Sequence, residues 1–242
     1  RNSSMKAFVS VTVQFINQIF SDWMLIALFV APLLIGSVFR FAIPALEMFL
    51  CGYFIRDAIL APYFPIFDLV LITMTPLLFT SAGAMIMLDE ADLGLTRAIS
   101  VTPVGRIGYL GSRVGVPAIT ATVLCFLIYK VFGLSGIEIP MILSLSLCAG
   151  ALGIVVSLMI TSLAGNKVEG LALTKLSGLL MAGIPVALLV PAPIKYMSGI
   201  LPTYWMTEAV IHKNWLLTFP AMGTALLWIM LFLRKFSRKV LA

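Results

Sequence analysis

Between two long apolar runs lies the polar segment Leu88–Arg106, with the sequence LDEADLGLTRAISVTPVGR. It carries five charged residues within 19 positions, whereas the runs on either side carry few. Charged groups are costly in hydrocarbon, because lipid offers neither hydrogen bonds nor hydration. The segment therefore predicts a water-facing connection beside a membrane, at a place where a second protein can bind it.

The composition indicates a membrane protein. The 242 residues are 61% hydrophobic and 11% charged, with a mean hydropathy of +1.11, whereas soluble domains carry about 25% charged residues. The apolar runs are long and unbroken, which favours helices over the alternating strands of a barrel. We therefore expect an all-α integral membrane protein. The net charge of +6 does not indicate nucleic acid, because the basic residues cluster at the ends of apolar runs.

Six runs approach the roughly 20 apolar residues that a helix needs to cross a bilayer. We expect one transmembrane domain over residues 1–242. It includes an amphipathic interfacial helix at residues 5–21, before the first span. The predicted spans cover about residues 23–39, 65–88, 109–132, 140–163, 171–191 and 215–233.

Two connecting segments are themselves largely apolar. Phe41–Pro62 joins the first two spans and Lys195–Asn214 joins the last two, and both contain aromatic residues of the kind that prefer the headgroup level. We expect each to form a short helix that dips into the outer leaflet.

The distribution of lysine and arginine predicts the orientation. With the N-terminus inside, 11 of the 16 basic residues fall on the cytoplasmic side and 5 on the outer side. By the positive-inside rule, both termini and the polar segment face the cytoplasm. The chain is thus expected to be a multi-pass protein of the cytoplasmic membrane.

The pattern of the polar segment and its surroundings resembles the permeases of type-2 ABC exporters. The stretch after the second span has an acidic start, a glycine, a Thr-Pro pair, an aromatic-aliphatic pair and a basic residue. Ala91 and Leu95 depart from the family pattern. Leu201–Trp205 (LPTYW) matches a second family pattern before the last span. The residues that carry the resemblance in the polar segment are Glu90, Asp92, Gly94, Thr102, Pro103, Tyr109, Leu110 and Arg113.

The resemblance implies that residues 89–106 form a coupling helix that docks on an ATPase subunit. Acidic residues at its start would be favoured by the helix dipole, and Pro103 would end it. A second loop, with Lys167 and Glu169, is expected to make a smaller contact with the same partner. The expected docking residues are Asp89, Glu90, Asp92, Gly94, Arg97, Thr102 and Pro103.

The chain itself has no Gly-x-x-x-x-Gly-Lys-Ser/Thr phosphate loop. We therefore expect no catalytic residue, cofactor or metal in this chain, and ATP and Mg²⁺ on two copies of a partner ATPase. A second permease, identical or related, and membrane lipid are the other expected partners. The expected substrate is amphipathic or hydrophobic: a drug, a peptide antibiotic or a lipid-linked molecule. By analogy with the family, the second and fifth spans would line its path.

Three residues are candidates for the substrate path. Asp68 lies inside the second span, where an ionisable group indicates function by default, although hydration near the outer interface is an equal alternative. Met74 and Met181 are flexible apolar residues that suit a promiscuous path, with ordinary lipid or core contact as the alternative.

Two other classes of function stay open. Gly133–Gly136 (GLSG) matches the motif of rhomboid proteases, so that Ser135 and the single histidine, His212, form a conceivable catalytic dyad. A secondary transporter or channel is the third class, although it would call for more buried ionisable groups than Asp68.

Overall fold

The computed structural model describes residues 23–94 and 105–241, which are mainly helical and contain no strand. The expected interfacial helix at residues 5–21 lies outside the described residues. Short 3₁₀-helices precede α2, α8 and α9 and separate α6 from α7, and a π-helical turn, Gly111–Gly115, joins α3 to α4. The described α-helices are α1 (Trp23–Phe54), α2 (Phe64–Asp92), α3 (Gly105–Leu110), α4 (Val116–Phe132), α5 (Ile139–Leu163), α6 (Lys167–Ser177), α7 (Gly183–Leu189), α8 (Pro202–Ile211) and α9 (Thr218–Leu241).

Six helical segments are long and apolar enough to cross a membrane, which confirms the predicted all-α fold with six spans. The third span runs through α3, the π-helical turn and α4, and the fifth runs through α6, a 3₁₀ turn and α7. The six segments are Leu25–Phe54, Ala61–Asp92, Gly108–Phe132, Ile139–Leu163, Lys167–Leu189 and Trp215–Ser237.

The second and fourth spans form the centre of the bundle. In the most apolar stretch of each, 83% of the second span and 78% of the fourth are buried, against 18% for the first and 17% for the sixth. Gly153 of α5 lies directly against Pro76 and Thr80 of α2, which is the close approach that small residues permit in membrane bundles. Helices α1 and α9 therefore present most of their apolar surface outwards.

The connection after the first span differs from the prediction. Helix α1 continues to Phe54 with Pro32 and Pro44 inside it. The prediction of a separate short helix within Phe41–Pro62 is therefore wrong. A proline removes only one backbone hydrogen bond, which a membrane helix tolerates. The Glu47 carboxylate of α1 accepts hydrogen bonds from three successive backbone amides of the loop that follows the helix. Their donors are Ile59 N (2.9 Å), Leu60 N (2.6 Å) and Ala61 N (3.2 Å).

The connection before the last span does form short helices, as predicted. A 3₁₀-helix spans Ile194–Ile200 and is followed by α8. Met206 and Ala209 of α8 are fully buried in a core cluster that includes residues of α2, α4 and α5. The segment is therefore an integral layer of the bundle.

Helix α2 approaches the π-helical turn closely at Gly83. A Cβ atom at that position would lie 2.8 Å from the Arg113 carbonyl oxygen and 3.2 Å from Pro117 Cγ. The first of these is a backbone atom, which cannot rotate away as a side chain could. Glycine at position 83 thus sets the distance between α2 and Arg113.

We predict that Gly83→Ala destabilises the protein. Overpacking costs about 1–3 kcal/mol and exceeds the helix-propensity gain of about 1 kcal/mol. The control is Gly223→Ala in α9, where an added Cβ would meet nothing within 4 Å and stability is expected to stay equal or rise slightly. Thermal unfolding in detergent measures both, and equal midpoints for the two variants would contradict the close approach.

Candidate functional site: the coupling end of the bundle

The acidic residues of the polar segment lie at the end of a helix. Asp89, Glu90 and Asp92 occupy the last two turns of α2, so the expectation that they begin a coupling helix is wrong. Negative charge is unfavourable at a helix C-terminus. These carboxylates therefore need positive partners from elsewhere in the fold.

The Glu90 carboxylate is paired with Arg113 inside the protein. Glu90 is 2% exposed and Arg113 is 0% exposed. Arg113 donates from Nε to Glu90 Oε2 at 3.1 Å and from Nη2 to Oε1, while the Tyr109 hydroxyl donates to Oε2 at 2.9 Å. We call these three residues the Glu90 clamp. Because the carboxylate is buried and engaged on both oxygens, the predicted role of Glu90 as a surface docking residue is corrected to an internal one.

The Glu90 clamp joins the two ends of the polar segment. Glu90 precedes residues 95–104, and Tyr109 and Arg113 follow them. The π-helical turn that carries Arg113 is an irregularity often found at functional sites. Of the predicted docking residues, Arg97, Thr102 and Pro103 lie outside the described residues. The contacts of Glu90 with Tyr109 and Arg113 therefore hold the end of α2 and the beginning of the third span together, on the two sides of residues 95–104.

Asp89 forms a second contact at this end of the bundle. Its Oδ2 lies 2.7 Å from Lys167 Nζ, and the two side chains are 39% and 31% exposed. The predicted first and second inner contacts thus come together in one place. An exposed pair of this kind adds about 1 kcal/mol or less to stability, so its position at the surface matters more than its strength.

Glu169 serves the start of helix α6. Its Oε2 accepts a hydrogen bond from Gly165 N at 2.6 Å, and Asn166 Oδ1 accepts one from Glu169 N at 2.9 Å. This arrangement is a variant of the capping box, in which the Glu169 side chain binds the residue before the N-cap Asn166. Glu169 therefore fixes the loop that presents Lys167.

Four residues at and just after the end of α2, Ala91 to Gly94, are exposed. Asp92 and Gly94 are exposed, and Leu93 is 74% exposed. Gly94 has φ +71°, a left-handed conformation that favours glycine and turns the chain out of the helix. The surface at this end thus offers one carboxylate and one leucine beside the Asp89–Lys167 pair.

Asp68 lies near the opposite end of α2, in the interior of the bundle. It is 1% exposed and accepts hydrogen bonds from Leu134 N and Ser135 N, both at 2.8 Å, and from the Ser135 hydroxyl. The carboxylate fastens the turn between α4 and α5. Because its oxygens are occupied by internal donors, this arrangement does not favour the predicted role in the substrate path.

The same contacts separate the two residues of the proposed protease dyad. The Ser135 hydroxyl donates to Asp68, whereas His212 Nε2 lies 3.1 Å from Glu208 Oε2. No Ser–His hydrogen bond forms within the part of the chain that the structure describes. The geometry does not favour a serine protease.

The two methionines occupy intermediate positions. Met74 is half-buried on α2, in a stripe of half-buried residues at helical spacing that also includes Ile66, Val70 and Leu78. Met181, in the 3₁₀ turn of the fifth span, packs against two core clusters. Helix α2 is therefore accessible mainly along one narrow stripe.

One buried charge on α8 escaped sequence reasoning. Glu208 is 8% exposed and lies 2.8 Å from Lys195 Nζ. Burial raises the pKa of Glu208, but the hydrogen bond and charge of Lys195, with hydrogen bonds from Tyr204 and His212, outweigh burial and lower it below 4.5. The hydrogen bond to Glu208 raises the pKa of Lys195 above 10.5. The spacing of Glu208 and His212 by one helical turn was the available signal.

Comparisons with known proteins agree with the architecture. The family model described as "Fluoroquinolones export permease protein Rv2686c-like" matches residues 15–234. The chain is 27% identical over 233 residues to the fluoroquinolones export permease proteins Rv2686c and MT2760 of Mycobacterium tuberculosis strains H37Rv and CDC 1551. The match covers 91% of this chain and 90% of each relative. No solved structure matches significantly.

We predict that the Glu90 clamp is required for stability. Glu90→Gln or Arg113→Met alone leaves an unpaired buried charge and is expected to cost about 3–5 kcal/mol. The double variant leaves neither charge, so its loss should be smaller than the sum of the two single losses. Unfolding in detergent measures all three, with Asp92→Asn at the exposed end of α2 as the neutral control. Additive losses would contradict a coupled pair.

We predict a pH dependence from Glu208. A lowered pKa stabilises the folded state above the ordinary pKa of 4.5, and this contribution is lost as pH falls through the folded value. Wild type should therefore unfold at a higher temperature than Glu208→Gln at pH 7, and the difference should shrink below pH 4.5. At high pH the stabilisation from the ion pair is lost when Lys195 loses its proton, which happens above its ordinary pKa of 10.5. A difference that does not change with pH would refute the ion pair.

Proposed function

Because the chain belongs to the Rv2686c-like family of fluoroquinolones export permeases, and is thus a permease of the type-2 ABC class, we propose how it works in an ATP-driven exporter. The resemblance found in the sequence is confirmed at the level of the family. We propose that this chain is the membrane-spanning subunit, that a separate ATPase supplies the energy, and that a drug crosses the cytoplasmic membrane.

The Glu90 clamp is the observation that carries the proposal. It lies at the base of the polar segment and ties both of its flanks to the centre of the bundle. A force on residues 95–104 would reach α2 through Glu90 and the third span through Arg113. Since α2 is the most buried span, its movement would displace the helices packed around it.

The docking surface in this proposal consists of the polar segment, Asp92, Leu93 and the Asp89–Lys167 pair. Of the described residues, Asp92 and Leu93 are exposed and the Asp89–Lys167 pair is partly exposed, so this end of the bundle combines charge with an apolar side chain. We propose that they contact the ATPase, which binds ATP and Mg²⁺, and that two ATPase copies serve two permeases. The excess of basic residues at this end supports placing it, with both termini, in the cytoplasm.

The outward surfaces of the bundle suit a second permease and lipid. Helices α1 and α9 are largely unburied and apolar, and a second permease subunit, identical or related, would cover part of this surface. Lipid would cover the rest. The family name supports a substrate of the fluoroquinolone type, which combines an apolar ring system with ionisable groups.

A secondary transporter is the less favoured alternative. Such a protein uses buried ionisable groups to couple ion and substrate movement. Both Asp68 and Glu90 are buried but engaged with internal donors. The described spans therefore leave little buried charge for ion coupling.

We predict that Asp92→Lys disrupts coupling without unfolding the chain. A reversed charge within a protein interface costs several kcal/mol, so affinity for the ATPase should fall roughly tenfold or more. Asp57→Lys is the matched control, because Asp57 is exposed on the loop after α1 at the opposite end. Co-purification with the ATPase and ATP-dependent fluoroquinolone uptake into inverted vesicles measure the effect.

Normal uptake by Asp92→Lys would refute docking at this surface. Equal losses in both variants would show a general effect of the added charge and would also count against it. Fluoroquinolone uptake that persists in vesicles lacking the ATPase would refute the ATP-driven exporter itself.

A further inference from the structure

A cavity of about 270 Å³ opens at the end of the bundle opposite the Glu90 clamp. It lies between the start of α2, the α4–α5 turn, the start of α5 and the end of α8. No step in the proposed coupling mechanism uses it. We call it the distal cavity, and its apolar lining includes Pro65, Met141, Val210 and Trp215.

The distal cavity carries two opposite charges. Glu138 and Lys213 both line it, and both side chains are exposed. Neither forms an ion pair with the other or with any other residue in the described ranges. Opposite charges that share a cavity without pairing leave room for a ligand that carries both signs.

The wall that carries Glu138 is held in place by hydrogen bonds to the second and third spans. Asp68 holds Leu134 and Ser135, while the Tyr129 hydroxyl accepts a hydrogen bond from Ile137 N at 3.0 Å. The α4–α5 turn is thus fastened to two spans immediately before Glu138. A wall held in this way is pre-organised, which reduces the entropy cost of binding.

The wall that carries Lys213 is also fixed. Lys213 has φ +49°, which is uncommon for a residue other than glycine and persists only where the surroundings impose it. Lys213 N donates to Val210 O at 3.3 Å, and Asn214 N donates to Ala209 O at 3.0 Å. The Asn214 side chain then accepts from Leu216 N at 3.0 Å, so the chain on both sides of Lys213 is held.

We propose that the distal cavity binds an amphoteric molecule with a flat apolar body. Its acidic group would face Lys213, its amine would face Glu138, and its ring system would lie against Trp215 and Met141. The assignment rests on the proposed function for the choice of ligand, since fluoroquinolones with a basic ring belong to this chemical class. In the proposed orientation the cavity faces outwards and holds the substrate as it leaves.

Binding to the purified full chain in detergent tests the proposal without the ATPase. Three probes differ by single charges: ciprofloxacin, its N-acetyl derivative without the basic amine, and its methyl ester without the carboxylate. Equilibrium dialysis gives each affinity. Wild type should bind ciprofloxacin roughly tenfold or more tightly than either derivative, which corresponds to about 1.4 kcal/mol per lost contact.

Charge variants assign each contact. Lys213→Gln should weaken ciprofloxacin binding and abolish the preference over the methyl ester, whereas Glu138→Gln should abolish the preference over the N-acetyl derivative. Lys130→Gln and Asp57→Asn remove exposed charges that do not line the distal cavity, and both should bind as wild type does. Equal affinity of the wild type for all three probes, or unchanged preferences in the cavity variants, would overturn the assignment.

The two proposals fail in different ways. Wild-type ATP-dependent uptake by the Glu138→Gln, Lys213→Gln double variant would refute the role of the distal cavity in export and leave the exporter intact. Absence of uptake by the wild type with its ATPase would refute the exporter, while charge-selective binding would still support the cavity.

Discussion

The structure depends on a carboxylate and a guanidinium that are buried side by side, Glu90 and Arg113. Arg113 lies in the third span and is fully buried, where an unpaired cation would be expensive. Glu90 and Tyr109 satisfy it through directed hydrogen bonds. Glu90 precedes residues 95–104, and Tyr109 and Arg113 follow them. The pairing that offsets the cost of burying Arg113 therefore also holds the two flanks of residues 95–104 together. The ends of α2 and of the third span are therefore held together by electrostatics at the point where the proposed ATPase contact begins.

Helix α2 carries a second buried carboxylate, Asp68, near its other end. Asp68 and Glu90 are 22 residues apart, which corresponds to about 33 Å along a helix and is close to the roughly 30 Å of the hydrocarbon core. Each carboxylate fastens a different part of the fold: Glu90 holds the third span where it begins, and Asp68 holds the turn that ends it. Helix α2 and the third span are thus tied at both ends, which favours their movement as one body and would carry a displacement at the clamp to the turn beside the distal cavity.

Hydropathy was sufficient to predict the six spans, because each lies within a long apolar run. It could not predict that α1 continues through Pro44, since the effect of one missing hydrogen bond depends on the surroundings. The acidic residues were assigned to the wrong end of a helix because a dipole argument requires the boundary to be known. The partners of Asp68 are 66 and 67 residues away in sequence, and no local pattern identifies them. Arg113 did leave a signal: a cation inside an apolar span needs an anion at the same depth, and Glu90 at the end of the preceding span was available.

The burial of α2 bears on where a substrate can pass. With 83% of its most apolar stretch buried, this helix cannot line a wide path inside one subunit, and only the stripe containing Val70 and Met74 stays accessible. The fifth span is 28% buried in its most apolar stretch and has far more surface to offer. In the proposed assembly of two permeases, a path between the subunits, bordered by the fifth span and by the stripe of α2, fits this distribution better than a channel through a single bundle. In such an arrangement the movement of α2 and the third span as one body would open the path by separating surfaces, without exposing the buried carboxylates.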